Sequence, residues 1–173
     1  MWTSIIIISI LGTISHFLYD ISGHNKIIGL FTSVNESTWE HIKIGLSPTI
    51  LYSLYDGYVF GSNPNYFFAK LCSLLSITLV IPLIYYSYKS ILKKDITLIN
   101  ISSFYIAIIV SQFAFDYIIN SEPIEFIYQY ISCIFLFIFF GAYLLLTLLP
   151  LKSFLFKDPI TNKYGFSGHA SYK

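Results

Sequence analysis

Charge is scarce in this chain: 11% of its 173 residues are charged, against about a quarter in an ordinary soluble domain. Arginine is absent altogether, and ten lysines stand against nine acids for a net charge of +1. Those lysines are scattered among candidate loops, so no clustered basic surface exists to neutralise phosphates, and nucleic acid is excluded as a partner. Cysteine is also scarce. Cys72 and Cys133 both fall inside apolar stretches, which rules out a disulfide framework or a CxxC metal knuckle and leaves them as small buried hydrophobes. The N-terminal run Met1-Trp-Thr-Ser-Ile lacks a basic lead-in, and no small-x-small cleavage site follows it. The first apolar segment is therefore expected to stay in place as a helix.

Apolar length is what the chain has in abundance. It is 55% hydrophobic and 19% aromatic, and runs of about 20 mostly apolar residues suffice to cross a bilayer. Windows of that size predict spans near 2–20, 38–60, 66–88, 97–119 and 125–149. The expected fold is an all-α, polytopic transmembrane bundle of about five spans over 1–149, with a polar connection at 21–37 and a C-terminal tail at 150–173. The joints carry polar residues or breakers, as at Gly61-Ser-Asn-Pro-Asn65 and Asn120-Ser-Glu-Pro123. Pro48 and Pro82 fall inside the second and third spans, where kinks are expected.

Lysine bias orients the bundle. One face receives Lys26, Lys43, Lys89, Lys93, Lys94, Lys152, Lys157, Lys163 and Lys173, and the other only Lys70. The lysine-rich face is expected to be cytoplasmic, with the N-terminus outside and the C-terminus inside, in a cell membrane crossed several times. On the outer side, Asp56 lies among Tyr52, Tyr55 and Tyr58, and Gln112 precedes Asp116 by one helical turn. These residues suit either headgroup contacts or the vestibule of a cation carrier.

The polar residues concentrate in Ser33-Val-Asn-Glu-Ser-Thr-Trp-Glu-His-Ile-Lys43. Ser37-Thr-Trp-Glu40 matches a capping box at the start of the second span. On that reading Asn35 and Glu36 add acceptors, Trp39 anchors at the interface and Lys43 snorkels. Glu36 and Glu40 are one helical turn apart and repel unless Lys43 or a divalent cation intervenes. His16 and Asp20 share the same i, i+4 spacing at the inner end of the first span. The short connection lets His16 and Asp20 converge with Glu36, Glu40 and His41, a ligand set suited to Zn²⁺, Mn²⁺, Fe²⁺ or Mg²⁺. Glu40, His41 and Lys43 are the candidate catalytic groups, with Lys43 placed to meet an anionic lipid headgroup. A second polar stretch, Lys157 to Gly165, has turn chemistry in Asp158-Pro159 and Thr161-Asn162, and Gly165 permits a positive φ. It is either a surface turn or a lid to which Asp158 or Tyr164 contributes, and His169 beyond it is read as incidental.

Three motifs, His16-x-x-Tyr19-Asp20-x-Ser22-Gly23-x-Asn25, Ser33-Val-Asn-Glu-Ser-x-Trp-Glu-His-x-Lys43 and Asp158-Pro-x-Thr-x-x-Tyr-Gly165, together resemble a family of small uncharacterised bacterial integral membrane proteins. That family is common in Firmicutes and classed as a domain of unknown function. Its members carry Glu where this chain has Asp20 and Gly where it has Asn162. The resemblance implies that the tail motif belongs with the site, and it carries no activity to transfer. Three functions follow as expectations: a metal-dependent enzyme at the cytoplasmic headgroup level, a small-solute or ion carrier, and a non-catalytic subunit that docks a membrane partner protein.

Overall fold

The computed structural model describes residues 1–169, so Lys173 and the end of the 150–173 tail lie outside the described residues. Among those described, the chain is all-helical: α1 Trp2–Ile21, α2 Lys26–Gly29, α3 Thr38–Phe60, α4 Tyr66–Leu92, α5 Thr97–Ile119 and α6 Phe126–Leu148, then a single 3-10 turn, Gly165–Gly168. Four of these, α1, α4, α5 and α6, are long and apolar enough to cross a membrane. α3 has the length, at 23 residues, which is about 34 Å of helix, but it is the least apolar of the long helices.

The reason lies in its position. α3 packs against α1, α4 and α5, while α6 packs on α4, so α3 runs through the middle of the bundle. Its polar residues Thr38, Glu40, Lys43, Thr49 and Asp56 are buried, whereas Leu51, Leu54, Tyr55 and Tyr58 lie on the outside. The outer helices supply the apolar surface, and α3 carries the buried charges Glu40, Lys43 and Asp56. Around it Trp39, Ile42 and Leu46 pack with Leu74, Ile77 and Ile81 of α4, Ala107 of α5 and Tyr143 of α6. Ile5 and Ile8 of α1 meet Ile44, Phe104 and Ile108 in a second cluster. α1 comes this close only because Gly12 is there: a Cβ would stand 2.7 Å from the Ile44 carbonyl oxygen and 2.5 Å from the Phe104 ring.

Both α3 and α4 continue helically through Pro48 and Pro82. In the turn that Pro48 leaves one donor short, the Thr49 hydroxyl donates to the Gly45 carbonyl at 2.8 Å.

The helices gather opposite ends. At one end, Asp56 pairs with Lys70, both buried, and the Lys70 ammonium lies 4.3 Å from the centre of the Phe115 ring. The carboxylate that suited either headgroup contacts or a cation vestibule is thus paired inside the bundle. Nearby the Asn65 amide donates to the Ile118, Ser121 and Glu122 carbonyls and accepts from Ile124 N–H, which ties the α3–α4 loop to the α5–α6 loop. At the other end, the finish of α1, α4 and α6 meets the start of α3 and α5. Tyr86 of α4 reaches Thr38 at 3.0 Å, and Tyr143 of α6 donates to Leu30 O in the α1–α3 connection at 2.9 Å.

Candidate functional site

The connection between α1 and α3 is held by an internal ion pair. Lys43, wholly buried, donates to the Gly29 carbonyl at 2.8 Å and lies 2.8 Å from the Glu40 carboxylate. Glu40, 2% exposed, accepts in turn from Val34 N–H at 3.0 Å. The charges thus clamp residues 29–34 against the first turns of α3. This placement differs from the expectation that Lys43 snorkels toward headgroups, and it keeps Glu40 out of any open site. The capping box does not form either. Ser37 is the N-cap without a side-chain bond, because Asn35 Oδ1 takes its N–H at 2.8 Å and Glu40 is drawn to Val34 and Lys43. Trp39 is buried against Phe156 and Tyr143 instead of lying at an interface.

The tail folds back onto this start of α3. Asp158, 1% exposed, accepts from Glu36 N–H at 3.0 Å and, through its other oxygen, from the Thr161 hydroxyl at 2.6 Å. Asn35 Nδ2 donates to the Gly165 carbonyl at 2.8 Å, and Trp39 N–H donates to Leu155 O at 2.9 Å. Between Lys157 and Tyr164, which form an isolated antiparallel bridge, the chain turns through Asn162 at φ 59° and Gly165 follows at φ 54°. Asparagine is among the few residues with a side chain that tolerate this left-handed region. Tyr164 packs on the cluster around Trp39 and Phe156.

Beside the clamp lies a cavity of about 760 Å³. α1 contributes Thr13, His16 and Phe17, α3 His41 and Ile44, and α5 Asn100, Ile101, Phe104 and Tyr105. Glu36, Tyr85, Asp95 and the tail residues Pro159 and Ile160 complete the wall. Phe17 and Ile101, on facing helices, are 55% and 50% exposed, so the mouth opens on the apolar flank between α1 and α5. A Thr13–Tyr105 hydrogen bond of 3.0 Å crosses between the same two helices.

Because α3 begins only at Thr38, Glu36 precedes the helix and turns toward the cavity. Its Oε1 lies 3.9 Å from His16 Nε2 and its Oε2 lies 3.7 Å from His41 Nε2. His41 Nδ1 donates to Ser37 O at 3.0 Å, which holds the ring in place with Nε2 on the side of Glu36. His16 Nδ1 is buried and has no hydrogen-bond partner among the described residues. Of the five metal-ligand candidates, His16, Glu36 and His41 come together. Asp20 does not join them; it sits against His24 and His169.

Asp95 was not singled out from the sequence, where the 89–96 joint reads as an ordinary polar loop. It accepts from Asn100 Nδ2 at 2.8 Å, Tyr85 OH at 3.0 Å and Lys89 at 3.3 Å. Burial pushes its pKa up, but the hydrogen bonds from Asn100, Tyr85 and Lys89 outweigh burial and hold the carboxyl below its ordinary 3.8. A lowered carboxyl pKa stabilises the fold above the unfolded value, and that contribution is lost as pH falls through the folded one. Protection factors of the Ile96, Ile99 and Asn100 amides, which are hydrogen-bonded, are therefore expected to hold from pH 7 down to pH 5 and to fall only below about pH 4. Asp95→Asn should remove that acid limb. Loss of protection between pH 5 and 7 in the wild type would contradict this assignment.

The model of the family of unknown function DUF6512 matches residues 1–166. The chain belongs to this family. The match takes in the whole helical bundle, every cavity residue and the tail turn, and it stops short of His169. No curated protein and no solved structure matches the chain.

Proposed function

We propose that this family member is a five-span membrane protein with its lysine-rich end in the cytoplasm. In this reading His16, Glu36 and His41 hold a divalent cation for hydrolysis of an amphiphile at the headgroup level. The observation that carries the reading is the placement of two imidazole Nε2 atoms on either side of one carboxylate, at 3.9 and 3.7 Å, in a cavity wall. Those gaps are too long for hydrogen bonds. They run to different oxygens of the carboxylate, and the two imidazole rings stand 6.3 Å apart, so gathering three ligand atoms roughly 3.4 Å apart around one tetrahedral cation draws the imidazoles together. Three protein ligands beside open space match a catalytic site with a position left for water.

The walls support an amphiphilic substrate. Phe17, Ile44, Ile101 and Phe104 suit an acyl chain entering from the bilayer, and the polar groups lie at its inner end. The lining includes the carboxylates Glu36 and Asp95 and no lysine, so an anionic headgroup is met only through a cation. Bound there, a cation would polarise a phosphoryl or acyl oxygen and lower the pKa of water. Burial of Glu40 with Lys43 makes that pair the support of the site, a different role from the direct one expected of them. A carrier is less well supported, since pairing of Asp56 with Lys70 leaves Asp116 as the one of the two outer carboxylates without that neutralisation.

The test is reconstitution into vesicles of anionic phospholipid, with Zn²⁺, Mn²⁺ or Mg²⁺ supplied in turn, and assay of released headgroup and fatty acid. Release that requires the metal and is lost in His41→Ala supports the reading. Release indifferent to His41→Ala, or none from phospho- and ester-linked lipids alike, counts against it.

A further inference from the structure

We propose that Asp20, His24 and His169 form a second divalent-cation site, one that fastens the tail to the end of α1. Asp20 Oδ1 lies 3.1 Å from His24 Nε2 and 2.8 Å from His169 Nε2. The three donor atoms all fall within 4.8 Å of one another. They come from three separate pieces of chain: the last turn of α1, the turn after it, and the segment beyond the 3-10 helix. As hydrogen bonds alone, the arrangement requires both imidazoles to aim protons at the same oxygen. Their ring centroids are 4.5 Å apart, so charging both to strengthen those bonds sets two cations against each other. A single shared cation held by the carboxylate and the two Nε2 atoms removes that conflict.

The backbone is bent to make this arrangement. His24 is held at φ 64°, directly after Gly23 at φ 68°, a conformation rarely adopted by residues with a side chain and often found where function fixes a group's position. The turn swings the imidazole back over Asp20. Tyr19, 1% exposed, lies with its ring 5.2 Å from each imidazole, nearly perpendicular to that of His169. It walls one side of the cluster, while the Asp20 side chain, 65% exposed, leaves the other side open for water to complete the coordination. Two imidazoles and one carboxylate suit Zn²⁺ by ligand type.

The tail held in this way also supplies Pro159 and Ile160 to the cavity wall and Asp158 to Glu36 N–H. The clip thereby sets how firmly the cavity is closed. It shares no residue with His16, Glu36 and His41, so the two sites stand or fall separately.

The full chain, purified in detergent and stripped with chelator, is exposed to trypsin with and without Zn²⁺, and cleavage after Lys157 and Lys163 is followed by mass spectrometry. At zinc about tenfold above its dissociation constant, tail cleavage should slow about tenfold. That protection should appear in the wild type and in His16→Ala/His41→Ala, and vanish in His24→Ala and in Asp20→Asn. Equal cleavage with and without zinc in the wild type overturns the proposal with no variant needed. So does protection that survives in both His24→Ala and Asp20→Asn.

Discussion

Replacing His41 with alanine is expected to remove the cavity's share of the divalent metal from protein purified without chelators, leaving any held by Asp20, His24 and His169, and to lower turnover by at least about 100-fold, with the helical bundle intact. His41 lies in the first turns of α3 with its side chain 22% exposed. Its contacts are a hydrogen bond to Ser37 O, the Glu36 carboxylate and the His16 ring. Alanine is the best helix former, so little of the fold depends on the imidazole. Glu36→Gln should act similarly, since the amide keeps the shape and loses the charge that binds a cation, while Glu36 N–H remains on Asp158. Elemental analysis beside a melting curve checks both. Unchanged metal content in both variants, or no transition metal in the wild type, would remove the cavity site.

The second large effect is on stability. Lys43→Met should leave the Glu40 carboxylate, 2% exposed, without its counter-charge, at a cost of about 3–5 kcal/mol. That is a large part of the roughly 5–15 kcal/mol that holds a typical domain together, so the variant should melt far below the wild type or fail to accumulate. Glu40→Gln in the same chain should recover most of the loss. The Gln oxygen still accepts from Val34 N–H, and the remaining deficit is the Gly29 carbonyl without its donor, about 1–3 kcal/mol. A single Lys43→Met variant as stable as the wild type would contradict the clamp and return Lys43 to the candidates for chemistry.

Legibility from the sequence followed the range of the forces involved. The long helices could be read because length and apolarity are properties each segment carries by itself, and the bounds 38–60 and 97–119 coincide with α3 and α5. α4 runs four residues past its expected end, to Leu92, because lysine and serine continue a helix there without interruption. The polar residues were legible as a group but not in their pairings. Glu40 looked like a capping acid because the motif supplies Ser37 three residues before it, and nothing local reveals that Asn35 takes the Ser37 N–H first. Lys43 finds its partners at Gly29 and Glu40, and the former depends on how the connection coils. Asp20 is drawn from His16 to His24 by a left-handed turn and to His169 by the docked tail. Asp95 and Asn100 were passed over because single polar residues at a helix joint are common, and their value comes from the cavity beside them.

The bond from Glu36 N–H to Asp158 closes a loop of 122 positions, which has a consequence for the order in which the protein matures. Ribosomes deliver α1 through α6 before they deliver Asp158, so all the long helices are available for packing while the Glu36 turn still lacks its last acceptor. Closing so long a loop costs little more entropy than closing one half its length, about 0.6 kcal/mol, so the late arrival is no barrier to assembly. The backbone that presents the carboxylate between the two histidines is therefore fastened last, after the scaffold of long helices around it is complete.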